Sequence, residues 1–197
     1  MLLRLLTGIL LLGAVSVVVA MVVGLPGNSS SQGVTNPPDG FRGIKWDSPL
    51  PSVQKLQETA LVGCSAVVQP KNFFTDTSPC SHMHIDTDDM ELFAQRRNVM
   101  PIFGVAVSEQ LLTWSYRKFW SGEVFIYNYN DGDLAKLRAA LTNQYGNPNV
   151  TQDRITEWRW PAKKLLVQLS FDPTPKPSVG SDKTKRTSVS LLFSKTE

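Results

Sequence analysis

Hydrophobic and polar positions along the chain fall into distinct regimes. Leu5 to Val23 is 19 residues of mostly Leu, Val, Ile and Ala with no charge. As a helix it would span about 28 Å at 1.5 Å per residue, close to the hydrocarbon thickness of a bilayer. The pattern predicts an N-terminal hydrophobic helix over residues 1–23. Gly24 to Gly40, "GLPGNSSSQGVTNPPDG", offers almost nothing to bury and predicts a flexible linker. From Phe41 to the end at Glu197, apolar residues recur with the periods of folded elements.

Within residues 41–197, Ile44 and Trp46 alternate with polar neighbours and predict a short strand. A short helix follows, with Asp47 or Ser48 as its cap, Pro49 in the first helical position, and Val53, Leu56 and Ala60 on one face. Val62 to Asp89 is the least regular stretch and reads as a polar loop. "MELFAQRR" and Ile102–Val107 predict short strands. "LLTWSYRKFWSGEVFIYNYN" predicts two strands around a tight turn near Arg117-Lys118. "DGDLAKLRAALTNQYG" carries the clearest helical stripe: Leu134, Leu137, Leu141 and Tyr145. Asp131 is its expected cap and Gly146 its stop. Burying those four side chains contributes about 6–12 kcal/mol, as an upper bound. "ITEWRW", "KKLLVQLSFD" and "SVSLLFSK" predict three further strands, with "PTPKPSVGSDKTKRT" as a long polar loop. The fold class is therefore α+β: a single antiparallel sheet with one longer and one shorter helix, preceded by the hydrophobic helix.

Composition supports a globular domain. Of 197 residues, 42% are apolar and 19% charged, which is enough to build a core. The net charge of +3 comes from Lys and Arg scattered along the chain. No basic patch is concentrated enough to predict a nucleic-acid partner.

Charge does change the reading of the leader. Arg4 is the only charged residue before Asp39. It favours a cytoplasmic N-terminus, with the domain on the far side of the membrane. Residues 1–23 are thus a transmembrane anchor or a signal peptide cleaved near Ala20. The first predicts a single-pass inner-membrane protein with a periplasmic domain. The second predicts a protein released to the periplasm. Either route exports the domain to a compartment that permits disulfides, and Cys64 and Cys80 are the chain's two cysteines. A bridge between them would close a loop of 15 intervening residues and stabilise by about 3 kcal/mol.

"FRGIKW", "FGVAVSEQLLTWSYRKFWSGEVFIYN", "LRAALTNQYGNP" and "EWRW" together resemble a group of small exported bacterial proteins without an assigned activity. In that group a G-I-K-W-G motif precedes a short helix, and an L…L…YG-P helix follows a hairpin. The resemblance spans about residues 41 to 171. It implies the fold and export and carries over no site. Asp47 stands where that group has glycine, and the Cys/His stretch before Met90 looks like an addition.

The chemistry on offer is sparse. "PCSHMHIDTDDMEL" holds both histidines of the chain. In an extended segment His82, His84 and Asp86 point to one side, and imidazoles with a carboxylate suit a divalent metal. Against this, Ser, Thr and Asp surround them, and no third histidine exists. "SYRK", Ser115 to Lys118, matches an S-x-x-K pattern but lies in a strand and its turn, where that chemistry does not work. No G-x-S-x-G, phosphate loop or paired-Cys zinc pattern occurs. Trp114, Trp120, Trp158 and Trp160 read as core or sheet-face residues, or as a ligand surface if exposed. The expected function is non-enzymatic binding or support of another envelope component. The alternative is a metal-binding protein or metal-dependent enzyme using His82, His84 and Asp86.

Overall fold

The computed structural model describes residues 36–177 and 185–196. The expected membrane span and most of the linker lie outside these residues. No helix among the described residues is long and apolar enough to cross a membrane.

The chain forms β1 (Gly40–Phe41), β2 (Ile44–Lys45), α1 (Val53–Thr59), β3 (Cys80–Ile85), β4 (Met90–Gln95), β5 (Glu109–Ser115), β6 (Lys118–Tyr127), α2 (Asp131–Tyr145), β7 (Val150–Gln152), β8 (Ile155–Trp160), β9 (Leu165–Pro177) and β10 (Lys185–Lys195). The class is α+β. The single sheet expected from sequence is corrected to an eight-stranded antiparallel sheet, ordered β3-β4-β5-β6-β10-β9-β8-β7, plus a separate two-stranded hairpin, β1-β2. Two meanders build the large sheet. The first runs β3 to β6. Helix α2 then carries the chain across one face to the far edge at β7, and the second meander returns until β10 pairs with β6.

Local chemistry explains these elements. Tyr116 and Arg117 both have positive φ, 48° and 61°, so the β5–β6 turn is a two-residue turn whose twist matches its strands. Helix α2 opens with a capping box: Asn130 accepts from the Asp133 amide, and Asp133 accepts from the Asn130 amide. Asn130, not Asp131, is the cap. Gly146 follows the helix at φ 82°. Helix α1 is capped by Ser52. Pro49 and Pro51 therefore precede it, and neither Asp47 nor Ser48 caps it. Ile102–Val107 is not a strand: Ile102 and Val105 form an isolated bridge around Phe103-Gly104, both at positive φ.

Both helices pack on the same face of the sheet. Leu134, Leu137, Leu141 and Tyr145 of α2 and Leu56 of α1 join Leu112, Val124, Trp158, Val167 and Leu191 in one core. Trp114, Trp158 and Trp160 are buried there, as core residues. Gly122 is required by a close approach. A Cβ there would fall 2.1 Å from Phe41 Cδ1, so the bare backbone lets the β1–β2 hairpin seat its phenyl ring on β6. The opposite face carries a smaller cluster. Phe73, from the segment between α1 and β3, packs there with Leu92 and Ala94.

Candidate functional site

The stretch read as a polar loop contains a strand. Cys80–Ile85 is β3, at the sheet edge, paired with β4 so that His82 faces Phe93 and His84 faces Glu91. Alternation was visible in the sequence; the partner strand that makes it a ladder was not. Cys80 is bridged to Cys64, with Cα atoms 5.9 Å apart. The bridge and Val68, whose amide bonds Cys80 O at 3.2 Å, bind the preceding segment to β3.

His82 stacks on Phe93, ring centroids 4.3 Å apart, and pairs through Nε2 with Glu91. Glu91 also reaches His84 Nδ1 at 2.9 Å. Asp86, in the short 3-10 turn after β3, lies 2.9 Å from His84 Nε2. One carboxylate thus bridges the two imidazoles, and a second holds the far nitrogen of His84. Glu91 is the member the sequence reading missed. It lies nine residues from His82 along the chain, and only the β3–β4 register brings it across. Among the described residues, no three His, Cys, Asp or Glu side chains form a group that could hold a metal ion. His84 has a carboxylate against each ring nitrogen, and Glu91 links it to His82. Ser81, the adjacent hydroxyl, accepts from Arg96 Nη1 at 2.5 Å. Ser115 and Lys118 pair across the β5–β6 turn, which confirms that their S-x-x-K spacing has no helix to act on.

A second cluster lies on the sheet face that carries no helix. Arg96, just after β4, is its hub. Its guanidinium sits over the Phe73 ring, donates through Nη2 to Phe73 O at 3.0 Å, and lies 3.5 Å from Asp76 Oδ2. Its Nε is 3.1 Å from Glu109 Oε1, close enough for an ion pair but without hydrogen-bond alignment. Glu109 Oε2 accepts from the Tyr127 hydroxyl at 3.0 Å. Two strands in, Glu123 of β6 accepts from Ser190 of β10.

Burial pushes the Glu109 carboxyl up, and the Arg96 charge and the Tyr127 hydrogen bond only partly oppose it. Burial also pushes Glu123 up, reinforced by the neighbouring Glu109 charge and opposed by Ser190. Asp76 goes the other way. Burial raises it, but hydrogen bonds from Ser78 and the charge of Arg96 together hold it below its usual value. Glu123 has no cationic partner among the described residues. Around it, Phe125, Tyr127, Leu166 and Leu192 are half-buried on the same helix-free face, and Leu111 packs toward the Phe73 cluster. No family model, curated protein or solved structure matches the chain.

Proposed function

We propose that the chain is an exported, membrane-tethered or periplasmic domain that binds another envelope component without catalysing a reaction. Its helix-free sheet face is the binding surface, and the partner is a protein presenting a basic side chain. The observation that carries this reading is Glu123. Among the described residues it is a desolvated carboxylate with one hydroxyl partner and no cation, set among half-exposed apolar and aromatic side chains. A lysine or arginine arriving from outside would supply the missing counter-charge, and the surrounding side chains would supply apolar contact.

Photo-crosslinking in cells producing the full chain tests this. A benzophenone side chain at Ser121 or Leu192 should yield one discrete adduct. The same probe at Lys136, exposed on α2, should not. Glu123→Lys should reduce the Ser121 adduct at least about tenfold, since like charges across an interface cost well over 1 kcal/mol. Equal crosslinking from both faces, or an adduct indifferent to Glu123→Lys, would exclude this face as the binding surface.

A second reading keeps a divalent metal on His82 and His84. What favours it is the unforeseen Glu91, a carboxylate already within reach of both rings. It replaces Asp86 as the third donor and requires the two rings to turn away from their present carboxylate contacts, since the three side chains do not form a metal-holding group as they stand. Untagged full-length protein should then carry about one equivalent of metal, lost in His82→Ala/His84→Ala. Equal metal content in the two proteins disposes of it.

A further inference from the structure

The strand register lays out the helix-free face of β6, β10, β9 and β8 in rows. Glu123, Leu192, Gln168 and Glu157 stand side by side in one row. The row on one side of it runs from Ser121 to Arg159, and the row on the other from Phe125 to Ile155. The unmatched acid and the exposed base therefore sit at opposite margins. On β6, Glu123 meets the Ser190 hydroxyl and, among the described residues, no cation. On β8, Arg159 is exposed, and its Nε and Nη2 both meet Glu157 Oε2, which leaves Nη1 to take a second carboxylate. An arginine set between two carboxylates already occurs in this chain, where Arg96 lies against Asp76 and Glu109.

Such a face is complementary to itself. A two-fold axis parallel to the strands, over the boundary of β10 and β9, lays β6 of one copy on β8 of the other and keeps the rows in step. Glu123 of each copy then meets Arg159 of the other, Phe125 meets Ile155, and Leu192 covers Gln168. Sheets stack face to face in this aligned way, about 10 Å apart. Four strands about 4.8 Å apart, over seven residues of about 3.4 Å each, cover roughly 900 Å² across two copies. That is the size of a weak, reversible interface. A shared membrane tether raises the effective concentration at which it forms.

We infer that the partner of this face is a second copy of the chain, in a face-to-face dimer closed by two Glu123–Arg159 ion pairs, a step that rests on the sheet-face reading and names its partner.

The test uses the full-length protein in non-ionic detergent, as an equal mixture of isotopically light and heavy chains, with a benzophenone side chain in place of Phe125. Photolysis should join one light chain to one heavy chain, and the acceptor should be the tryptic peptide Ile155–Arg159. Glu123→Arg and Arg159→Glu should each reduce that adduct about tenfold or more, because each sets like charges against one another across the interface. Mixing the two variants puts opposite charges together at both contacts, so the adduct should return. The parent adduct is decisive by itself if either variant fails to fold. Adducts confined to chains of one isotope, an acceptor outside residues 155–159, or a mixture of the folded variants no better than either alone would overturn the dimer. If the purified chain gives no such adduct while the Ser121 probe in cells captures a different protein, the dimer fails and the sheet-face reading stands. If neither probe gives an adduct, both fail.

Discussion

Glu109 and Glu123 are carboxylates that the sheet removes from water, and the consequence reaches beyond the surface they sit on. Each has its pKa raised above the ordinary 4.5. The folded chain then holds more protons than the unfolded chain between 4.5 and the raised value. Their contribution to stability is full below the unfolded value and is lost as pH rises through the folded one. Glu123→Gln keeps an oxygen for Ser190 and removes the charge. Denaturant unfolding of the variant should show a shallower fall in stability above pH 4.5 than the parent, and greater stability near pH 8. A variant less stable than the parent near pH 8 would mean that Glu123 already has a favourable counter-charge, and the binding face would lose its central residue. Asp47 makes a related point. Its φ of 61° lies in the left-handed region that glycine tolerates best. Aspartate is among the few other residues that accept this conformation, and its carboxylate binds Lys195 Nζ at 2.6 and 2.7 Å. An aspartate here therefore allows the turn and adds an ion pair.

At the scale of elements, the β1–β2 hairpin is held by one contact that can be tested. Phe41 is 3% exposed and rests on the bare backbone of Gly122. Gly122→Ala should cost about 1–3 kcal/mol by pushing the ring out. Phe41→Ala should cost about 3–5 kcal/mol. The two should be non-additive, with Gly122→Ala nearly silent once the ring is gone. Additive losses would place the strain in β6 itself. Elements of this kind were legible where a sequence states its own period. The stripe Leu134-Leu137-Leu141-Tyr145 and the aromatic β5–β6 hairpin needed no partner to be read. Strand β3 was not legible, because Ser and His do not announce a strand and its alternation gains meaning only beside β4. For the same reason Glu91, Glu109 and Glu123 escaped notice: each meets its partners across strands. Two buried amides were equally hidden. Gln110 Nε2 donates to Ala60 O at 2.6 Å and to Gln95 Oε1, and Gln95 donates to Val62 O at 2.8 Å. This pair takes up carbonyls at the end of α1 and just beyond it and fixes the approach to Cys64, a task that glutamines at these positions do not announce.

For the whole molecule, the disulfide and the apolar leader make one connected argument. The Cys64–Cys80 bridge closes the segment that carries Phe73 under the sheet and seats Val68 beside β3. Arg96 pins the same segment through Phe73 O and Asp76, so the edge of the sheet and the Arg96–Glu109 pair share one support. Without the bridge, that segment regains its loop entropy, a loss of about 3 kcal/mol. This is a large fraction of a typical domain's 5–15 kcal/mol. The fold thus gains from an oxidising compartment, which is what the Leu5–Val23 run predicts as its destination. Deleting residues 5–23 should leave the chain in the cytosol with both thiols open to alkylation. The full chain should resist the reagent until reduced. The retained form should also unfold at lower denaturant, and the deficit should vanish when both proteins are compared fully reduced. If the full chain reacts at two thiols before reduction, the bridge is refuted; if both forms fractionate with the cytosol, export is refuted. The Arg96 cluster would then have to hold the sheet edge alone.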